Sequence, residues 1–342
     1  MRMHALVMNC SAPHYNLGAA KCASWLRACG VTVTEHDGDP GLFGYGASQV
    51  WLSVIFSWHA PLAVEIAWRY TGHSDVYCGG PGMFALGRWW QQQTGLVCHR
   101  GLDARFESQR GAYRMTFASR GCPVNCSFCL VPRLEGTTCT LDWDFQPAPL
   151  LCDNNLSALP VPFQRHILTQ YEATGTRLSD ANSGFEPRSF DAETYQRWAA
   201  VLRGPWRFAL DTMSELDDVR RMMQLVCHVP AKRKQVYVLR GNEPFAACDE
   251  RCTTVLEWGG EPYVQPLLPL NALTRRAYKI AYDWSPQRLR DMQRYDNRHL
   301  WRALPLHDYH PRQGEPPPFA EASSSRLLQR CVERPFSLFG GP

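Results

Sequence analysis

The chain has 342 residues, 45% of them hydrophobic and 20% charged, which excludes a disordered chain, a collagen-like repeat and a coiled coil. Its length predicts two domains, or one large domain with an extension. With 36 basic and 32 acidic residues the net charge is only +4, so the chain as a whole is not a polycation, and only four of its basic residues are lysines (Lys21, Lys232, Lys234 and Lys279).

The opening stretch, MRMHALVMNCSAPHY, has a short apolar run and no small-residue cleavage site after it, so no signal peptide is predicted. His4 to Asn9 predicts a short apolar strand, Asn16 to Cys29 a helix stopping at Gly30, and the β-branched Val31 to Glu35 a second strand. Val50 to Phe56 predicts a third strand and Leu62 to Tyr70 a helix. The apolar run from Val50 to Trp68 carries His59, Pro61 and Glu65, and ionisable groups are costly at mid-bilayer, so it reads as a buried strand entering an amphipathic helix and no membrane span is predicted. Asp75 to Cys78 predicts a fourth strand, closed by Gly79-Gly80-Pro81-Gly82. This alternation predicts a doubly wound parallel sheet over residues 1–110, with ligands beyond the carboxyl ends of its strands, where Cys10 and Cys78 fall.

A second series starts near Arg114. Strands are predicted at Tyr113–Ala118, Leu150–Asp153, Arg177–Asp180, Arg207–Asp211, Gln235–Leu239 and Pro262–Gln265, with helices such as Pro162–Ala173, Ala192–Leu202 and Ser214–Leu225 between them. Six β/α units over residues 111–275 are too few for a closed eight-stranded barrel and predict an open partial one, its functional loops following the strand carboxyl ends. Residues 276–342 predict an extension: a helix over Ser285–Arg302, then a proline-rich stretch from Pro311 to Pro318.

Fourteen cysteines in a chain too long to need a disulfide framework predict reduced thiols, in the cytoplasm, available to metal. Cys122, Cys126 and Cys129 stand in SRGCPVNCSFCLVP, directly after the first barrel strand. Three thiolates within eight residues form a soft metal site. Four would close a zinc site or a complete ferredoxin-type cluster, whereas three can hold three corners of a 4Fe–4S cluster and leave one iron open. Three unrelated buried thiols, or a zinc site with its fourth ligand elsewhere, are the other readings of the same residues.

This loop, with aromatic Phe128 before its third cysteine, closely resembles the signature of the radical S-adenosylmethionine (SAM) superfamily. The resemblance implies a partial β/α barrel and a 4Fe–4S cluster on Cys122, Cys126 and Cys129. It also implies SAM chelated by the open iron, Phe128 near the adenine, and a reductant such as flavodoxin or ferredoxin. One electron from the cluster then breaks a carbon–sulfur bond of SAM, giving methionine and a 5′-deoxyadenosyl radical. Asp153, Asn154 and Asn155 follow the second strand, where the family places the group that receives the SAM ammonium, although the usual Gly-Gly-Glu is absent. Ser183, Glu186 and Arg188 follow the third strand, Asp211 and Ser214 the fourth, and Arg240 the fifth. These are further cofactor-binding candidates, and as strand-end polar residues they also suit helix caps and rim hydrogen bonds. Arg188 and Arg240 are candidates to hold the SAM carboxylate or an anionic substrate through bidentate geometry.

A Rossmann-like unit ahead of such a barrel resembles the cobalamin-dependent members of the superfamily, which often use a histidine in an Asp-x-His-x-x-Gly loop. Here the corresponding loop carries His14, with Ala12 in place of the aspartate and Gly18 one position late. The resemblance therefore admits cobalamin beside a degenerate scaffold. The cysteine loop also resembles that of the methylthiotransferases acting on RNA, which carry a second cluster on three cysteines. Cys10 and Cys78 fit two of those positions, but Phe56-Ser-Trp-His59 supplies no third. A non-catalytic iron–sulfur or zinc protein is the other alternative. Cys248 and Cys252 lie four apart, at a spacing that suits burial on one helix.

Residues 201–342 hold 21 basic and 16 acidic residues. Arg290, Arg294, Arg298 and Arg302 recur every four residues, so a continuous helix would carry them on one face. Such a face is able to follow a phosphate backbone, or to pair with Asp291 and Asp296 in solvent. The balance favours a small-molecule or nucleotide substrate over a nucleic acid.

Overall fold

The computed structural model describes residues 3–41, 46–309 and 311. The chain forms two compact units. Of the described residues, the first unit takes those of Met1–Asn155, Leu159–Asn182 and Leu268–Ala277, and the second those of Leu156–Ala158, Ser183–Leu267 and Tyr278–Pro342. Residues 111–155 and 159–182 thus share a unit with the N-terminal sheet.

In the first unit, β1 (His4–Asn9), α1 (Leu17–Ala28), β2 (Thr32–Asp37), β3 (Gln49–Ser53), α2 (Ala60–Tyr70), β4 (Asp75–Gly79) and α3 (Gly87–Thr94) build a doubly wound parallel sheet of order β2-β1-β3-β4. Strand periodicity sorts the core. Ala5 and Val7 meet Ala19, Cys22, Ala23 and Leu26 of α1, while Leu6 and Met8 face α2 and α3, where Ile66 and Trp90 are fully buried. Asn16 caps α1 by accepting the Ala19 N–H at 3.1 Å, and Gly30, at φ +78°, follows the helix end. The order reverses between β1 and β3, the position at which such sheets take ligands. There Asn9, Asn16 and Ser53 bond to one another: the Asn16 amide donates to Asn9 at 3.1 Å and the Ser53 hydroxyl donates to Asn16 at 3.1 Å.

The short α4 (Ala104–Glu107) leads into β5 (Met115–Thr116), β6 (Ser119–Arg120), α5 (Val131–Leu134), β7 (Thr140–Leu141), β8 (Leu150–Leu151), α6 (Val161–Thr174) and β9 (Asp180–Ala181). Strands β5, β8 and β9 run parallel, with Met115 opposite Leu150 and Leu150 opposite Asp180. The sequence predicts longer strands, but the ladder ends where side chains take over: the Ala118 N–H donates to the Asp153 carboxylate at 2.8 Å. β6 and β7 form an antiparallel hairpin with Arg120 opposite Thr140, and the whole cysteine loop lies between them.

The second unit contains α7 (Ala192–Ala199), β10 (Trp206–Ala209), α8 (Leu216–Leu225), β11 (Lys234–Arg240), α9 (Phe245–Glu257), β12 (Glu261–Pro266) and α10 (Pro286–Asn297). Its sheet is again parallel, in the order β10-β11-β12. The six predicted strands β5, β8, β9, β10, β11 and β12 thus occur in the expected sequence. The C-terminal helix is shorter than its arginine periodicity predicts. Asn297 turns its side chain to the exposed edge of β12, accepting the Val264 N–H at 2.7 Å and donating to the Val264 carbonyl at 2.9 Å. His299 adopts φ +54° and starts a 3-10 turn over Leu300–Arg302, so Arg302 leaves the helical repeat, while the Arg298 N–H still donates to the Arg294 carbonyl at 3.2 Å. Arg302 pairs with Glu261, and Arg288 with Asp283 while lying over the Phe245 ring. The proline-rich stretch, apart from Pro311, lies outside the described residues. Among the described residues no helix is long and apolar enough to cross a membrane.

Candidate functional site

The cysteine loop is rooted in the hairpin β6–β7. Gly121 has φ +89°, and a Cβ there would lie 2.5 Å from the Thr138 carbonyl oxygen, so the crossing of the two loop ends admits only glycine. The Cys122 N–H donates to the Gly136 carbonyl at 3.2 Å, which closes the loop on itself. At its tip Asn125 also takes the left-handed region, at φ +56°. The three cysteines are thiols, half-buried rather than sunk in a core, as is Phe128. The Cys129 N–H donates to the Cys126 carbonyl at 3.0 Å, and the Cys129 sulfur in turn accepts the Val131 N–H at 3.4 Å.

Among the described residues no three His, Cys, Asp or Glu side chains gather closely enough for a single metal ion. A cubane makes a different demand, since each thiolate takes a separate iron. The donor set fits it: three half-exposed thiols on one loop, with a backbone N–H directed at one sulfur and an amide at another. That amide is Asn155, whose Nδ2 lies 3.9 Å from the Cys122 sulfur. Cys139, at the start of the return strand, has its thiol 3.9 Å from the Gly121 carbonyl oxygen, and burial, with Cys122 nearby, pushes its pKa up.

The residues after β8 divide by role. Asp153 has no exposed surface and accepts from the Ala118 N–H at 2.8 Å and the Ser119 hydroxyl at 2.5 Å. Burial pushes its carboxyl up to about 6, against the pull of those two donors. Both contacts tie it to the strand that leads into the cysteine loop. Asn154 donates to the Glu135 carboxylate at 2.7 Å. Glu135 and Arg120, which the sequence reading passed over, sit in this network at the root of the cysteine loop. Arg120 joins Glu135 at 3.2 Å to Glu107 at 3.0 Å and lies 3.5 Å over the Phe117 ring.

The remaining candidates belong to the second unit. Ser183 is exposed beside Gly184, whose Cβ would strike the Arg207 carbonyl oxygen at 2.2 Å. Glu186 and Arg188 pair with each other at 2.6 Å on an exposed turn that Glu186 caps. The Asp211 backbone is fixed at both ends: its N–H donates to Glu215 at 2.6 Å, and its carbonyl accepts from Asn242 at 2.5 Å. Burial, with Glu215 nearby, pushes the Asp211 carboxyl up to about 7, while Arg251 pulls it down. Ser214 contacts the Thr212 hydroxyl at 2.8 Å in the capping turn of α8, where Thr212 and Glu215 form a capping box.

Arg240 lies in the interior of the second unit. It is fully buried, paired to Asp296 of α10 at 2.8 Å and donating to the Cys252 sulfur at 2.8 Å. Along β11 it shares a face with Val236 and Val238, and Val238 packs on Cys252 of α9. It therefore points toward α9 and α10, which carry Cys252 and Asp296. The opposite face of the sheet carries Arg207, which donates to the Tyr237 hydroxyl at 2.9 Å. Cys248 and Cys252 are buried on α9 as the spacing implied. Between them Arg251 was unforeseen: it donates to the Leu210 carbonyl at 2.7 Å and the Leu239 carbonyl at 2.9 Å, tying together the carboxyl ends of β10 and β11.

At the carboxyl edge of the N-terminal sheet His14 is exposed, its ring edge-on to Phe56 at 5.2 Å. Cys10, Cys78 and Cys98 are buried in one hydrophobic cluster, and burial pushes all three thiols up.

No family model matches the sequence, and no curated protein matches it. Among solved structures the chain is similar to TsrM from Kitasatospora setae, a radical SAM methyltransferase whose structure holds cobalamin and a 4Fe–4S cluster. The match has a TM-score of 0.56 and 14% identity, covering 79% of this chain and 74% of that one. At that identity the likeness is one of fold: the chain shares its α/β architecture of parallel sheets with that protein over most of its length.

Proposed function

We propose that this protein is a radical SAM enzyme that modifies a small-molecule or nucleotide substrate. The observation that carries the reading is the loop Cys122–Cys129, with three thiols half-buried on one excursion between β6 and β7, in a fold shared with a SAM-using methyltransferase. Cys122, Cys126 and Cys129 hold a 4Fe–4S cluster, which when bound supplies the electron that breaks a carbon–sulfur bond of SAM. Asn155 directs an amide donor at the Cys122 sulfur and stabilises its thiolate form. Phe128 packs beside the adenine. Asp153 holds the strand from which the loop departs.

Ser183, Glu186, Arg188, Asp211 and Ser214 stand after β9 and β10, the end of the strands at which β/α barrels place their chemistry. Of these, Asp211 is suited to carry a proton near neutral pH, because its carboxyl lies at about 7. A flavodoxin- or ferredoxin-like reductant supplies the electron, and a reducing compartment, the cytoplasm, keeps the thiols available. Cobalamin, carried by TsrM, would meet at the edge of the N-terminal sheet an exposed imidazole, His14, able to offer a nitrogen to cobalt.

The experiment is anaerobic reconstitution with iron and sulfide, followed by dithionite and SAM, with 5′-deoxyadenosine and S-adenosylhomocysteine quantified by mass spectrometry. The expected result is about four irons per chain and SAM-derived product from the wild type, and neither from Cys126→Ala. About eight irons per chain would instead indicate a second cluster, as in the methylthiotransferases. Zinc in place of iron, with no SAM binding, would refute the proposal.

A further inference from the structure

The cysteine loop is closed by a side chain as well as by its backbone. Glu135 follows the loop, its side chain only 6% exposed, and its carboxylate gathers three donors. These are the Gly121 N–H at 2.9 Å, the Asn154 Nδ2 at 2.7 Å and the Arg120 guanidinium at 3.2 Å. The adjacent Gly136 carbonyl takes the Cys122 N–H. Residues 121–122 and 135–136 therefore meet twice, once through backbone and once through the carboxylate.

The neighbouring contacts give this clasp a direction. Arg120 is held from its other side by Glu107, through contacts of 3.0 and 3.1 Å, and from its face by the Phe117 ring, so the charge that meets Glu135 is fixed in place. Asn154 and Asn155 are consecutive. The first is anchored to Glu135, and the second carries the amide that approaches the Cys122 sulfur. Burying a carboxylate is costly unless donors compensate it, and its loss would strand the Gly121 N–H and leave the Asn154 amide only the Gly121 carbonyl at 3.4 Å.

We propose that Glu135 is a positioning residue for the metal centre: it clasps the root of the cysteine loop and, through Gly121 and the Asn154–Asn155 pair, sets where the Cys122 sulfur stands. The inference rests on the reading of Cys122, Cys126 and Cys129 as cluster ligands. Glu135 itself is not a ligand, since its carboxylate is occupied by Gly121, Asn154 and Arg120. It acts as the groups behind metal ligands do, by orienting them, and removing such groups typically weakens metal binding about 10- to 100-fold.

The test compares full-length wild type, Glu135→Ala and Glu135→Gln, reconstituted anaerobically with limiting iron and sulfide. Iron per chain, the EPR spectrum of the dithionite-reduced cluster and the thermal melt are read on each. Glu135→Ala is expected to load about tenfold less tightly, with an altered EPR spectrum, while still melting cooperatively. Glu135→Gln keeps an acceptor oxygen for the Gly121 N–H and is expected to recover part of the loading. Wild-type loading with an unchanged spectrum in Glu135→Ala overturns the inference. If that chain does not fold, Glu135→Gln decides, and loading and spectrum equal to wild type overturn it. A wild type that assembles no cluster overturns the underlying reading instead.

Discussion

At the scale of single residues, the strand-end candidates differ in the partners their side chains meet. Asp153 and Arg240 both end barrel strands, yet one closes on Ala118 and Ser119 and the other on Asp296. Asp211 differs, because its backbone is fixed while burial leaves its carboxyl at about 7, against an ordinary value of 3.8. A carboxyl raised on folding binds its proton more tightly in the folded state. The stability this contributes is fully present below about pH 4 and is lost as the pH rises through about 7. Wild-type melting temperature should therefore fall across that window, and Asp211→Asn should fall less. Thermal melts at several pH values check this, and parallel curves for the two proteins would refute it. The parity of Arg240 with Val236 and Val238 was legible in VYVLR, and reading it would have placed the guanidinium in the helix layer. Glu135 was not legible, because a carboxylate after a loop carries no period and its three partners are distant in sequence or rest on a backbone turn.

At the scale of elements, periodicity served where a face is buried and failed where side chains end a ladder. The first sheet came through strand by strand, because β1 is apolar on both faces and α1 has its cap at Asn16 and its stop at Gly30. The barrel strands β5 and β8 were overextended because Asp153 takes donors that a longer ladder would use. The arginine repeat from Arg290 to Arg302 promised one helix, but the apolar repeat Leu289, Met292, Tyr295 carries only as far as Asn297. That helix docks through a buried ion pair, Arg240 with Asp296, whose side chains are 0% and 3% exposed. Removing one partner leaves the other charged and buried, so Asp296→Ala should cost roughly 3–5 kcal/mol. An apolar double replacement, Arg240→Met with Asp296→Leu, should cost less than the single change. Denaturant unfolding of the three proteins checks the order, and a double variant less stable than the single one would refute it.

At the scale of the whole molecule, the chain does not divide where its motifs do. The first unit needs residues from beyond β12: Leu268–Ala277 belong to it, although Ser183–Leu267 do not. The Ser57 hydroxyl donates to the Ala272 carbonyl at 2.7 Å, Leu273 packs against the core that contains Ile66 and Trp90, and Arg275 lies over the Trp58 ring at 5.6 Å. A fragment of residues 1–182 contains all of the N-terminal sheet and the cysteine loop, yet it lacks this returning segment. Its Ser57 hydroxyl, buried beside the sheet edge, would lose its partner, and the apolar surface under Leu273 would meet water, a loss of about 1–3 kcal/mol for each feature. The fragment is therefore expected to melt several degrees below the intact chain, with its tryptophan emission shifted to the red as Trp58 is uncovered. Supplying residues 268–277 on a flexible linker should restore part of both signals, since the contacts are local to the first unit. A fragment that melts at the temperature of the full chain, with unshifted emission, would mean that the returning segment rests on the sheet without stabilising it.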